Sequence, residues 1–181
     1  MAIVVLKNVV LSFPHLFQPQ VQADGKKTYS ASLIFPPDHP AKKELEAAIL
    51  AEATAKWDKK AAAELKALNA AGRVCLKDGD TKAYDGYPGN WFVSASSKTQ
   101  PQIFDRDTTP ISDESVGRPY GGCKVYAWIT VWVQDNQFGK RINASIERVQ
   151  FAADGTPFSG TSRASLGAVE AIEDEDFADL V

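Results

Sequence analysis

Residues 123–133 read CKVYAWITVWV, and the alternation within them decides the fold. Successive side chains of a strand point to opposite faces of a sheet. Cys123, Val125, Ala127, Ile129, Val131 and Val133 therefore share one face, which is small and apolar. Lys124, Tyr126, Trp128, Thr130 and Trp132 share the other, with three aromatic rings and a cation. The first face belongs in a core. The second can serve as a platform for nucleotide bases, whose flat π-faces any aromatic ring can cover. It can equally be sealed beneath a helix, and the strand alone leaves both readings open.

Working outward, Asp135-Asn136 and Gly139 form a turn signal, so 123–134 and 140–151 are expected to pair as a hairpin. Upstream, 91–98 (WFVSASSK) reads as a strand, flanked by irregular stretches at 72–90 and 99–121 that are rich in Gly, Pro and Asp. Residues 3–13 (IVVLKNVVLSF) read as a first strand ended by Pro14, and 14–26 as a loop with the Asp24-Gly25 turn. Residues 27–35 (KTYSASLIF) follow as a second strand, with Tyr29, Ala31, Leu33 and Phe35 on one face. From about 38 to 71 the chain is rich in Ala, Glu, Lys and Leu, the strong helix formers. Pro40 suits a first turn behind a cap at Asp38 or His39, and Gly72 suits a stop. One unbroken helix would outrun a domain of this size, so a break is expected near Trp57–Asp58. Five strands with one helical insertion suggest a small antiparallel barrel, which leaves no sheet edge exposed. A β-sandwich with a helix on one side is the alternative.

The chain has 181 residues, 44% apolar and 24% charged, which suits one domain with a proper core. Its first residues lack the basic-then-apolar pattern of a secretion signal, and no run is long enough to span a membrane, so a cytoplasmic protein is expected. Cys75 and Cys123 stand alone, without the clustered partners of a zinc site, and read as buried apolar residues. Neither a metal nor a cofactor is expected. The net charge of −3 conceals an uneven distribution. Residues 164–181 hold six acids and no Lys or Arg, so the body carries 20 basic groups against 17 acidic ones. That is a mildly basic body with an acidic tail. The expected division is a barrel domain over 1–160 and a flexible linker with the tail over 161–181.

The stretch GYPGNWFVSASSKTQPQIFDRDTTP, residues 86–110, resembles a family of phage proteins first catalogued as a domain of unknown function. The matching pieces are Gly86-Tyr87, Gly89, Trp91, the Ser94–Lys98 run, Pro101 and Asp105-Arg106-Asp107. Leu11–Pro14 and Tyr29–Ala31 match its opening; Gly122-Cys123, Asp135-Asn136, Gly139-Lys140 and Val149-Gln150 match its closing hairpin. The resemblance covers about residues 5 to 160. Gln100 stands where that pattern carries a basic residue, and the helical segment follows the second strand. The resemblance implies an OB-fold that binds single-stranded DNA without catalysis, in phage replication or recombination, within the cytoplasm of an infected bacterium.

Such binding needs rings for bases and cations for phosphates on one surface. The candidate aromatics are Tyr84, Tyr87, Trp91, Phe104, Tyr120, Tyr126 and Trp132. The candidate cations are Lys77, Lys82, Lys98, Arg106, Arg118, Lys124, Lys140 and Arg141. In the tail, Glu173, Asp174, Glu175, Asp176 and Asp179 surround Phe177, Leu180 and Val181. Acids around apolar residues suit a basic pocket with an apolar floor on a partner, and the pattern resembles the acidic tails of bacterial and phage single-stranded-DNA-binding proteins. The partners expected are single-stranded DNA, replication or recombination proteins held by the tail, and a second copy of the chain. Two other functions compete. Asp78, Asp80, Asp85, Asp105, Asp107, Asp113 and Glu114 are the carboxylates that a metal-dependent phosphodiesterase would use. A protein-interaction adaptor would use the tail and bury the aromatic face.

Overall fold

A computed structural model describes residues 1–158. Seven strands form one sheet in the order β3-β4-β2-β1-β6-β7-β5. They are β1 (Ala2–Val21), β2 (Lys27–Phe35), β3 (Leu76–Asp78), β4 (Trp91–Ser97), β5 (Gln102–Phe104), β6 (Lys124–Asn136) and β7 (Gly139–Ala153). All pairings are antiparallel except that of β5 with β7. The strand ladder itself does not close. The residues just before β3 bridge β7 and β4 instead: Cys75 N–H donates to the Ile142 carbonyl (3.0 Å) and Ser94 N–H to the Cys75 carbonyl (3.1 Å). This seam lays β4 alongside β7 and gives the sheet the curvature of an OB-fold-like barrel.

The five strands expected from the sequence are all present, and the hairpin turns at Asn136 and Gly139. Two further strands come from stretches read as irregular. Each has only three residues, too few to show a period. β1 also runs past Pro14 to Val21, where a loop was expected. A register shift between Ser12 and His15, with Phe13 at φ +46°, absorbs the proline without ending the pairing to β2.

The alternation of 123–133 holds through the barrel wall. Cys123, Val125, Ala127, Ile129 and Val131 are buried. They meet Leu6, Leu11, Leu33, Val93, Ile142 and Ile146 in the interior. Each such large side chain contributes about 1.5–3 kcal/mol when fully buried.

Helix α1 (Pro40–Trp57) starts with Pro40, and the His39 ring nitrogen accepts the Ala41 N–H at 3.0 Å. Asp58, at φ +50°, breaks the helix where its length predicts a break, and α2 (Ala61–Ala70) follows a single 3₁₀ turn. Ala41, Leu45, Ile49 and Ala53 recur every fourth residue as the buried stripe, and the first three press into the barrel interior. The helix therefore plugs the barrel from the inner side and leaves the Tyr126–Trp132 face outside. Trp57 Nε1 donates to Asp135 (2.8 Å) and Lys140 Nζ to Glu64 (2.6 Å), which pins the helices to the β6–β7 hairpin.

Candidate nucleic-acid interface

On the outer face of β2 and β4 the alternation places small hydroxyl residues: Ser30 opposite Ser96 and Ser32 opposite Ser94. Farther along the same face, Ile34 and Phe92 are buried, with Tyr87 closing over them. Tyr87 is 2% exposed, and its hydroxyl donates to Ser12 Oγ at 3.2 Å. The loop bearing Tyr87 thus covers one end of the face and leaves the serines open.

The open end continues across the seam onto β7 and β6 as a groove. Phe13, His15 and Gln20 line one side, and Arg73, Lys77, Arg141, Asn143 and Trp132 the other. Among the described residues no carboxylate lines it. The Trp132 indole donates to Ser145 Oγ at 3.0 Å, which ties the ring to β7 across from Asn143. Phe13 is 52% exposed and meets the equally exposed Tyr84 edge-on, with ring centroids 4.9 Å apart. Lys77 is pushed below the usual lysine range, first by burial and then by the neighbouring charges of Arg141 and Lys82. With Arg73, Lys77 and Arg141 along it and no described acid, the groove is a basic surface that favours an anion.

A second group of rings and cations lies on the outer face of β6, β7 and β5. Arg148 sits over Phe104 (5.3 Å to the centroid) and Trp128 (5.5 Å). Tyr126 lines a hollow with Asn8, Arg106 and Gln150.

The sequence candidates thus separate into three sets. Trp132, Arg141 and Lys77 line the groove, with Tyr84 at its rim. Phe104, Arg106 and Tyr126 belong to the second face, while Lys98, Lys124 and Lys82 are exposed. The remaining candidates are engaged within the protein. Tyr87 is sealed in its loop and offers no face to a base. Trp91 turns to the inner side, packed against the core with Lys42 Nζ 4.8 Å from its ring. Arg118 donates to Asp105 (Nε, 3.0 Å), which is held below the usual carboxylate range first by that bond. Tyr120 donates to Asp154 at 2.7 Å, and Lys140 is held by Glu64. Arg106 has no ion pair among the described residues, because Asp105 is taken by Arg118.

Phe13, His15, Arg73, Asn143 and the four serines were not among the binding candidates read from the sequence. The serines had a signal, because Ser30 and Ser32 alternate with Ala31 and Leu33, and Ser94 and Ser96 with Val93 and Ala95. Gln100, where the family pattern carries a base, donates to the Leu16 carbonyl at 3.1 Å and is structural. Three of the loop acids are engaged locally: Asp78, Asp107 and Asp113 accept N–H groups two residues on. Among the described residues no three His, Cys, Asp or Glu side chains are grouped to hold a metal. Both cysteines are buried free thiols, each pushed up to about 11 by burial. No described helix is long and apolar enough to cross a membrane. The expected tail, residues 161–181, lies outside the described residues.

If Tyr87 only holds its loop, Tyr87→Phe is expected to cost about 1 kcal/mol, the worth of one hydrogen bond. A thermal melt should register that loss, and affinity for DNA should stay unchanged.

A curved sheet plugged by one helical segment, with a ring-and-cation groove on its outer wall, places the molecule in the OB-fold class of binding barrels. The comparisons narrow that class. The family described as Enterobacter phage Enc34, ssDNA-binding protein, matches residues 2–178, and the chain belongs to it. The "Putative protein p50" of Acyrthosiphon pisum secondary endosymbiont phage 1 is 40% identical over 179 residues, 97% of this chain and 92% of that protein. Among solved structures, the single-stranded DNA-binding protein of bacteriophage Enc34 in complex with ssDNA superposes with a TM-score of 0.74 at 30% identity, covering 87% of this chain and 89% of that one. The bacteriophage T7 single-stranded DNA binding protein gp2.5 reaches 0.57 at 14% identity, covering 99% and 94%, and shares the fold.

Proposed function

We propose that this chain binds single-stranded DNA, without catalysis and with little sequence preference, in the groove across the barrel seam. One observation carries the reading: Arg73, Lys77, Arg141, Phe13 and Trp132 line one groove to which no described residue contributes a carboxylate. The cations meet phosphates and the rings stack on bases, while serine, Asn143 and Gln20 side chains offer adaptable hydrogen bonds. A groove that reads backbone and π-face discriminates weakly among sequences. Family membership supports the same reading. The loop acids, of which no three are grouped to hold a metal among the described residues, do not favour a phosphodiesterase.

The proposal extends to the acidic tail as a recruiter of phage replication or recombination proteins in the host cytoplasm. Its Phe177, Leu180 and Val181 supply the apolar contacts and its acids the charge. Deleting 168–181 is expected to keep or strengthen DNA binding, because removing acids removes competition for the groove. A large loss of affinity on truncation would refute this role for the tail.

The test of the main reading is retardation of labelled oligo-dT in gels without added metal. The DNA should emerge intact, and log affinity should fall with log salt by about 0.7 per phosphate contacted. Trp fluorescence should be quenched by the single strand and not by the duplex. Failure to retard the oligonucleotide, or magnesium-dependent cutting, would overturn the reading.

A further inference from the structure

We infer that the outer face of β5, β6 and β7 is a second station for single-stranded DNA, continuous with the seam groove and engaged only by longer strands; the inference rests on the groove reading. β6 makes the connection. Its outward residues alternate without a break, so Trp132 in the groove and Trp128 on the second face lie on the same side of one strand, about 13 Å apart. Tyr126 follows about 7 Å farther on.

At Trp128 the arrangement is built around Arg148. Its guanidinium lies over both Phe104 and Trp128. Gln102 Oε1 accepts from its Nε (3.1 Å) and Nη2 (2.8 Å). A bulge makes this possible: Trp128 opposes Arg148 while Ile129 opposes Ile146, so Glu147 and Arg148 are both pushed outward. Glu147, the acid this bulge exposes, is engaged by the Thr130 hydroxyl at 3.1 Å. Arg148 has no ion pair among the described residues. A charged head stacked on two rings, oriented by a neutral amide and lacking a carboxylate, is prepared for a phosphate, and the rings beside it for bases. Beyond it, the Tyr126 hollow with Arg106 repeats the pairing of a ring with an unpaired cation.

OB folds occupy about 4–16 nucleotides per barrel. A strand at the lower end of that range fills the groove alone, and one at the upper end reaches the second face. Full-length protein and its Arg148→Ala and Phe104→Leu variants should be titrated with oligo-dT of both lengths, with thermal melts alongside. The unaltered chain should bind the long oligonucleotide more tightly. Each variant should weaken long-strand binding about tenfold, with short-strand affinity held within about twofold. Phe104→Leu keeps an apolar side chain against Arg148 and carries the test if Arg148→Ala fails to fold. Folded variants that retain the full advantage of the longer strand would overturn the inference, as would equal weakening on both lengths. If the unaltered chain fails to bind even the short strand, the groove reading itself falls.

Discussion

Replacing Lys77 and Arg141 together by glutamate is expected to lower affinity for oligo-dT by about a hundredfold or more, without unfolding the protein. Hydrogen bonds to charged groups are worth about 1.5–3 kcal/mol each, and the reversed charges repel the strand as well as failing to hold it. The salt dependence should become shallower by about 1.4, the share of two phosphate contacts. Stability should hold, because two acids in place of two bases keep the same burial and mutual repulsion. Lys77 is kept below its usual range by burial and by the Arg141 and Lys82 charges, so in the free protein the charged form is penalised relative to the unfolded chain. Between the depressed folded value and the ordinary one the unfolded state binds more protons. Stability therefore rises with pH through that window, and the penalty is fully present below it. A neutral Lys77→Met variant removes the penalty. It should melt no lower than the parent at neutral pH and bind DNA less well. A parallel loss of stability and affinity would mean that Lys77 supports the fold and that the groove's charge is incidental.

The barrel was legible because its determinants are local. The strict alternation of 123–133, the turn at Asn136 and Gly139 and the Ala-rich run around Leu45 and Ile49 each declare themselves within a few residues. The central strand alone could not show on which side the helix lies. That choice is set by Leu45, Ile49 and Leu68 filling the barrel interior, which depends on the curvature of the whole sheet. The groove was half legible for the same reason. Trp132 and Arg141 stand out as a ring and a cation on a readable hairpin. Arg73 and Lys77 come beside them only because Val74 reaches across to Ile142, a pairing with no local signature. Phe13 and His15 were hidden by Pro14, which ordinarily ends a strand and here is carried through by a bulge. Tyr87 and Trp91 mislead in the opposite direction: an aromatic ring beside Gly and Pro looks exposed until Ser12, Ile34 and Phe92 are seen waiting beneath Tyr87.

Gly122→Ala is expected to destabilise the protein by about 3–5 kcal/mol, lowering the melting point by about 10 °C or more for a domain of this size. Two costs coincide at this position. Gly122 lies at φ +104°, where an L side chain is strained, and an added Cβ would stand 2.1 Å from the Thr156 carbonyl oxygen. That neighbour is backbone and cannot swing away as a side chain would. The residues around it are tied on both flanks: Gly122 N–H donates to the Leu11 carbonyl (2.7 Å) and Phe158 N–H to the Gly121 carbonyl (3.0 Å). Relief would therefore require either the start of β6 to leave β1 or residues 155–158 to lift away, taking Phe158 from its place against the Ile34 cluster. Gly117 supplies the control, with a comparable φ of +81° and nothing within 4 Å of its added Cβ. Gly117→Ala should cost only the backbone strain, about 1–2 kcal/mol. The difference between the two melts then measures the collision alone. Equal melting of both variants would show that residues 155–158 yield freely, and that their packing against β6 contributes little to holding the barrel together.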